Sequence, residues 1–574
     1  MRRSSMTGRH AAVAVAFVIA VLAGSLAGGA QVPAFKPVTD AMLLNPDPGD
    51  WINWRRTLDG WGFSPLKQIN KDNVDQLQLV WAKTLGAGLN EPTPLVYDGV
   101  MYVPSALGLV QALDAVTGEL LWDYTKQIQS PTNFRGWVPR MRSLAIYGNN
   151  IYMTTAEAHI VALDARTGKV IWDKTVADYT LGYRFTSGAI VAKGKIIAGI
   201  TGCEFYKNDI CFIAAYDPQT GSELWRTSTI ARPGEPGGDT WGDLPLMFRA
   251  GGDAWIPGSY DPNTNLIYWS VAQAKPWARV SRGTDGPALY TNSTLALDPE
   301  TGKIVWYNQH VPGENHDLDD AYENVLIDHD GRSSVFEMGK MGILWEMDRK
   351  TGAFVAAHDL GYQTVVEVNP QSGQVQYKKG AIPQLDVPME WCPGMVGVRN
   401  WRATAYHPDT HALYIPMTEL SCIRGVFSEV EKKEGVGGYR PIPGYKALGS
   451  RPHPGSPNHR GGFTAMDIRN GKILWKHPTK LSMTAAALTT AGGLAIVGDA
   501  DRYLYVHDAA SGKILFQMRL PNPVQGFPVT YSVKGKQYLA VPTSSGSLSS
   551  QETSGSGNAI FVFALPERAI RPAR

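Results

Sequence analysis

The chain has 574 residues, with 54 Lys and Arg against 52 Asp and Glu, for a formal net charge of +2. That balance removes any compositional case for nucleic acid or a strongly acidic partner, and 44% hydrophobic with 18% charged residues describes a soluble globular core. Sixty Gly and 38 Pro call for many turns, and 17 Trp need an explanation of their own.

Residues 1–30 read as an export signal. Arg2, Arg3 and Arg9 precede the apolar run Ala11–Leu22, and small residues lead to a cleavage point after Ala30. The run is just long enough to act instead as an uncleaved anchor. Ser4-Ser5-Met6 is a poor continuation for a twin-arginine address, and no Cys follows the signal, as a lipoprotein would require. Residues 31–574 are expected to form a single domain, exported to the periplasm, with no stable membrane insertion once the signal is removed.

From Val100 onward the chain alternates short apolar runs with Gly, Asn and Asp, the pattern of antiparallel meanders. One phrase recurs: LDAVTGELLW (Leu113–Trp122), LDARTGKVIW (Leu163–Trp172), YDPQTGSELW (Tyr216–Trp225) and LDPETGKIVW (Leu297–Trp306). Weaker copies begin at Met347, Met466 and His507, and Leu79-Val-Trp81 looks like the tail of another. The Asp can accept backbone N–H bonds from two and three residues on, and the Gly supplies a positive φ. Each copy is therefore a β-turn that opens into a strand with a Trp to bury. Repetition at about 40 to 80 residues fits four-stranded blades packed radially. The reading is an all-β, eight-bladed β-propeller of four-stranded antiparallel blades with Asp-x-x-Thr-Gly-x-x-x-Trp docking repeats; seven blades is the alternative. The long gap between Met347 and Met466 is expected to hide another blade, and Tyr406–Tyr414 echoes Tyr260–Tyr268 as a related strand pair.

Four Cys occur, at 203, 211, 392 and 422. A small even number in an exported chain favours disulfides, Cys203–Cys211 across a short hairpin and Cys392–Cys422 across a longer loop. The longer one is worth about 3–4 kcal/mol in the chain-entropy account. These residues contain no C-x-x-C-H haem motif, phosphate loop or dinucleotide fingerprint.

Some segments break the repeat. They are Gly251–Trp255, Ala272-Gln273-Ala-Lys-Pro-Trp277, and Val311-Pro-Gly-Glu-Asn-His-Asp317-Leu-Asp319-Asp320, with Glu204 upstream. Carboxylates and an amide so grouped can supply hard oxygen ligands to a cation, and a Trp can stack on a planar group.

At these residues the chain resembles the methanol/ethanol family of pyrroloquinoline quinone (PQQ)-dependent alcohol dehydrogenases. The likeness runs through nearly all of the mature chain, from Trp54-Arg-Arg-Thr-Leu-Asp-Gly-Trp61 to Tyr260–Leu266, Tyr290-Thr-Asn-Ser and Leu297-Asp-Pro-Glu-Thr-Gly-Lys. It implies an eight-bladed propeller that holds PQQ and one Ca2+ or lanthanide ion in a central cavity. Thr201-Gly-Cys-Glu204 resembles the family's Ser-Gly-Ala-Glu, whose Glu binds the metal, and Gln273 stands where the family has an Asn ligand. Asp317 matches the catalytic Asp, also a metal ligand, with His316 in place of the family's Trp; as an isolated His, His316 is read as a loop residue. Asp319 matches the extra Asp of lanthanide-using members, where a trivalent ion favours one more carboxylate. Trp255 falls where a Trp stacks on the quinone. Lys340 aligns with the Arg or Lys on the quinone oxygens, Arg142, Thr186 and Thr201 with cofactor contacts, and Arg399-Asn400-Trp401 with a Lys-Asn-Trp segment at the cofactor.

Two departures bear on the pocket. The family's vicinal Cys pair is replaced by about Gly136-Trp137, and its Trp-Asn-Gly-Gly by Ser482-Met-Thr-Ala-Ala486, which suggests room for bulkier or secondary alcohols. The resemblance implies Asp317 as general base, Lys340 as the stabiliser of charge on the quinone oxygens, an alcohol as substrate, and a separate soluble cytochrome c as electron acceptor. A non-catalytic or degenerate propeller, acting as a binding or assembly protein, is the rival reading. The assembly version predicts a lipobox Cys and no acidic–amide grouping; Gln273 and the missing Cys pair favour the degenerate one.

Overall fold

The computed structural model describes residues 35–128, 138–437, 444–544 and 557–567. The chain divides into Met1–Lys36 and a compact body Pro37–Arg574, and everything below concerns that body. The signal expected over residues 1–30, and Gly136-Trp137, lie outside the described residues. No described helix is long and apolar enough to cross a membrane.

One structural unit repeats. Leu95–Tyr97, Val100–Ser105, Leu109–Asp114 and Leu120–Thr125 pair in that order, all antiparallel. The same meander recurs over residues 145–175, 190–228, 259–309, 325–359, 405–479 and 488–519. The chain ends build one more: Gln78–Thr84 pairs with Ala559–Ala564, which continues to Lys536–Thr543 and Val529–Val533. The described residues thus contain eight four-stranded antiparallel sheets, one of them extended by the parallel strand Phe63–Ser64. First strands of neighbouring sheets pack on each other, as Ala145–Tyr147 does on Ile190–Ala192 and Ser259–Asp261 on Val325–His329. Second strands are buried, whereas fourth strands such as Leu120–Thr125 are half exposed. This is a β-propeller, whose radial packing leaves few free edges.

The recurring phrase is the turn between third and fourth strands. Asp114 Oδ1 accepts from the N–H groups of Val116 and Thr117, both at 2.8 Å, and Asp217, Asp298, Asp348 and Asp508 repeat the pattern. The turn glycine has positive φ, 69° at Gly168 and at Gly221. A Cβ on Gly221 would lie 2.8 Å from the Trp172 ring, so the small residue also lets one sheet's Trp cover the next sheet's turn. The indole then donates to that turn: Trp122 to Ala165 O at 3.0 Å, Trp172 to Pro218 O at 3.1 Å, Trp225 to Pro299 O at 3.0 Å and Trp475 to Ala509 O at 2.9 Å.

The long gap holds no further four-stranded sheet among the described residues, which corrects the expectation of a hidden repeat there. Met347 and Met466 lie on the third strands of consecutive sheets. The space between is taken by the hairpin Val366–Val368 with Val375–Tyr377 and by the sheet of Met389–Trp391, Ser421–Phe427 and Tyr445–Pro452. Asn369 accepts from Gln371 and Ser372 N–H as the turn Asp residues do, so this hairpin carries a copy of the phrase that the sequence count omits. The echo at Tyr260 and Tyr406 does mark matching hairpins: Thr264–Tyr268 and Thr410–Tyr414 make the same 2.8 Å hydroxyl contact. Both expected disulfides are formed.

Candidate active site

In a four-stranded meander the 1–2 and 3–4 turns share one end. The start of strand one, the link from strand two to three and the exit of strand four share the other. The repeated phrase occupies the first end. The residues singled out for function occupy the second. Arg142 and Asn400-Trp401 precede first strands; Thr201, Glu204, Gln273 and Lys340 follow second strands; Asp317 and Asp319 follow a fourth.

Glu204 is set by its backbone. Gly202 has φ 93°, and a Cβ there would lie 1.9 Å from Gly182 O. Asp253 Oδ1 accepts from Gly202 N–H at 2.6 Å and Cys203 N–H at 3.1 Å, and the Cys203–Cys211 bond holds the same turn. Burial and the neighbouring Glu204 push the Asp253 carboxyl up.

A cavity is lined by Arg140, Arg142, Arg184, Thr186, Thr201, Glu204, Asp253, Trp255, Asn400 and Trp401. All six residues assigned by sequence to the cofactor other than Lys340 line it. Thr186 Oγ1 donates to Trp255 O at 3.0 Å, and Thr201 Oγ1 to Arg184 O at 2.9 Å. Arg142 pairs with buried Glu91 at 2.7 Å and lies 4.9 Å over the Trp401 ring. Burial lowers its pKa to about 10, which leaves it charged at neutral pH. Its Nε has no partner among the described residues. Asn400 is locally engaged, donating to Val396 O and accepting from Trp401 N–H. Ser482–Ala486 is wholly buried and none of its side chains lines this space.

Beside Trp255 lies a polar cluster. Lys340 Nζ sits 5.1 Å over the Trp255 ring, 3.2 Å from Asp317 Oδ2 and 2.6 Å from Asp319 Oδ2, and donates to Asp317 O at 2.8 Å. Lys275 Nζ lies 3.0 Å from Asp317 Oδ1. Gln273 Nε2 donates to that same oxygen at 2.7 Å, while its Oε1 is buried without a partner. Gln273 N–H donates to Asp319 Oδ1 at 3.1 Å. Asp317 has φ 64°. Burial would raise the Asp317 carboxyl, but Lys275 and Lys340 outweigh it and hold it below the usual carboxylate range. Asp319 goes the other way: burial raises it, and the two lysines offset this only in part. Burial works against both ammonium groups, yet Asp317 and Asp319 raise each above an ordinary lysine.

Four participants have no role assigned from sequence: Arg184 and Arg140, and Lys275 and Asp253, which lie inside segments that break the repeat. Lys275 had a signal, since it stands two residues after Gln273, on the same side of an extended chain. Arg184, which pairs with Glu204 at 2.9 Å, had none, because only folding brings residues 184 and 204 to the same place. His316 is fully buried against Trp391, at 5.1 Å between ring centres.

A family model described as the glucose/ethanol/alcohol dehydrogenase β-propeller domain of PQQ proteins matches residues 51–359 and 363–539. The chain belongs to this family, the quinoprotein alcohol dehydrogenases. It is 30% identical over 95% of its length to the quinoprotein ethanol dehydrogenase of Pseudomonas aeruginosa, covering 96% of that protein. It is also 30% identical to the quinohemoprotein alcohol dehydrogenase ADH IIB of Pseudomonas putida, over 96% of this chain and 81% of that one. Among solved structures, a europium-containing methanol dehydrogenase superposes with TM-score 0.85 at 26% identity, covering 92% of this chain and 100% of the other.

The residues present fit PQQ. A flat tricarboxylate matches a space with three guanidinium groups, an indole wall and an orphaned Arg142 Nε. They do not fit a metal ion at Glu204, Gln273, Asp317 and Asp319. Each of those carboxylates already has a cationic partner, and Gln273 turns its NH2, not its carbonyl oxygen, toward Asp317.

Proposed function

We propose that this chain oxidises alcohols to aldehydes or ketones with PQQ as its redox cofactor. The observation that carries this reading is a largely buried carboxylate, Asp317, held ionised by two lysines, one of them 5.1 Å over the ring of Trp255, which walls a basic cavity. When bound, PQQ supplies the two-electron acceptor. Arg140, Arg142 and Arg184 would hold its carboxylates, Trp255 its face, and Thr186, Thr201, Asn400 and Trp401 its rim. Asp317 takes the alcohol proton as general base, with its unprotonated form maintained by Lys275 and Lys340. Lys340 also places positive charge at the Trp255 ring, where negative charge is to be stabilised.

The propeller is read as eight-bladed, from eight meanders and their Trp-to-turn contacts. Export to the periplasm rests on the sequence of residues 1–30. A separate soluble cytochrome c as electron acceptor fits the lack of a C-x-x-C-H motif in these residues. The preference for bulky or secondary alcohols rests on sequence alone, on the absence of the family's Trp at Ser482–Ala486, a segment whose side chains do not line the described cavity. The test is dye-linked oxidation by the PQQ-loaded protein across a panel from methanol to bulky secondary alcohols. Alcohol-dependent turnover that needs PQQ is the expected result. Bound quinone without turnover on any alcohol would favour the rival, a binding or assembly protein; methanol turnover far above that of large alcohols would reject the size preference alone.

A further inference from the structure

We propose that the side chain of Lys275 is a built-in cation that takes the place of the metal ion in this site, so that the chain binds PQQ without Ca2+ or a lanthanide. This rests on the PQQ reading above only for the identity of the cofactor.

The first support is occupancy. Lys275 is buried, with its Nζ 3.0 Å from Asp317 Oδ1. Lys340 reaches Asp319 at 2.6 Å and the other Asp317 oxygen at 3.2 Å. Arg184 holds Glu204 at 2.9 Å. An ion entering here would have to displace a cation from each carboxylate and then sit beside like charges.

The second is the amide. A metal ligand offers a carbonyl oxygen. Gln273 donates Nε2 to Asp317 at 2.7 Å, the orientation an ionised acceptor demands, and its Oε1 is left buried without a partner.

The third is rigidity. Ala274–Lys275 pairs with Ala250–Gly251 in register Ala250↔Lys275, which fixes the lysine backbone, and the ammonium lies 5.7 Å over the Trp277 ring. Gln273 and Lys275 thus project on one side of a short strand, amide donor and ammonium together. An ammonium on a four-carbon stem is a compact point charge with three donors, able to neutralise these carboxylates and still donate to an oxygen of a bound ligand.

The experiment uses the full protein loaded with PQQ, exposed to excess Ca2+, La3+ or Tb3+ and then desalted. Metal per chain is measured by mass spectrometry, Tb3+ by luminescence sensitised by the nearby indoles, and bound quinone by its absorbance. Quinone at one equivalent with no stoichiometric metal and no Tb3+ emission is expected, and chelator treatment should leave the quinone in place. One equivalent of retained metal in the wild-type protein overturns the proposal. Lys275→Ala should then acquire a single Tb3+ site with at least a tenfold gain in emission, and Lys275→Met should not, its stem filling the space. If Lys275→Ala does not fold, the wild-type metal count decides alone. A preparation that takes up no quinone counts against the assigned cofactor; the comparison of Tb3+ uptake by wild type and Lys275→Ala then decides for or against the lysine.

Discussion

Lys275 Nζ lies 3.0 Å from one oxygen of Asp317 and Lys340 Nζ lies 3.2 Å from the other, so each oxygen of the proposed base has its own ammonium. Asp319, two residues on, shares only Lys340, and its carboxyl is pushed up where that of Asp317 is held down. Two neighbouring carboxylates with opposite shifts are the mark of divided roles. Asp317 is the one kept ready to accept a proton.

Asp317→Asn should therefore lower kcat for alcohol oxidation on the order of 10²- to 10⁴-fold, the range of one general base. Bound quinone should stay close to stoichiometric, because Asp317 does not line the cavity. Near-normal turnover in the dye-linked assay would remove Asp317 from the role.

Trp255 touches both halves of the site, since it walls the cavity and lies under the Lys340 ammonium. Trp255→Ala should weaken PQQ binding about tenfold, the scale of a lost aromatic face. Titration of the apoprotein with PQQ, followed by tryptophan fluorescence, measures it; an unchanged Kd would place the quinone elsewhere.

Stability should depend on the docked indoles and little on their exposed neighbours. Trp225 is buried over Gly302 and donates to Pro299 O at 3.0 Å, while Leu224 beside it is 48% exposed. Trp225→Ala should cost about 3–5 kcal/mol in denaturant unfolding, and Leu224→Ala about 0.5 kcal/mol or less. Equal losses would mean that the indole carries no docking energy.

His507 gives stability a pH dependence. It is buried in an aromatic group, stacked on Trp475, with His477 2.9 Å away, and burial together with His477 lowers its pKa from 6.5 to about 3. Below the unfolded value, the unfolded chain takes a proton that the folded ring refuses. Stability from this group is thus complete above pH 6.5 and falls as pH drops toward 3, by up to about 1.4 kcal/mol per pH unit. Asp59 and Asp499, raised to about 6 by loss of hydration, act in the opposite sense over part of that window, so the comparison must be with His507→Phe. The variant should show the shallower loss between pH 6 and 4; identical slopes would show that His507 titrates normally.

What is local could be read from the string. The Asp-to-Gly turn closes within a few residues by its own hydrogen bonds, so seven copies could be read from the string and each proved to be a third-to-fourth strand turn. Spacing along the chain was a poorer guide, because the insertions between Met347 and Met466 form their own small sheets. The residues that the family resemblance assigns to the cofactor, Thr186, Thr201, Trp255, Asn400 and Trp401 among them, do line one cavity. The electrostatics emerged only on folding. Lys275, Asp317 and Lys340, like Arg184 and Glu204, come from separate segments that meet only at the shared end of their sheets. A charge acts through distance in space, which no local pattern encodes, and that is why residues legible as metal ligands in the string proved to be already paired.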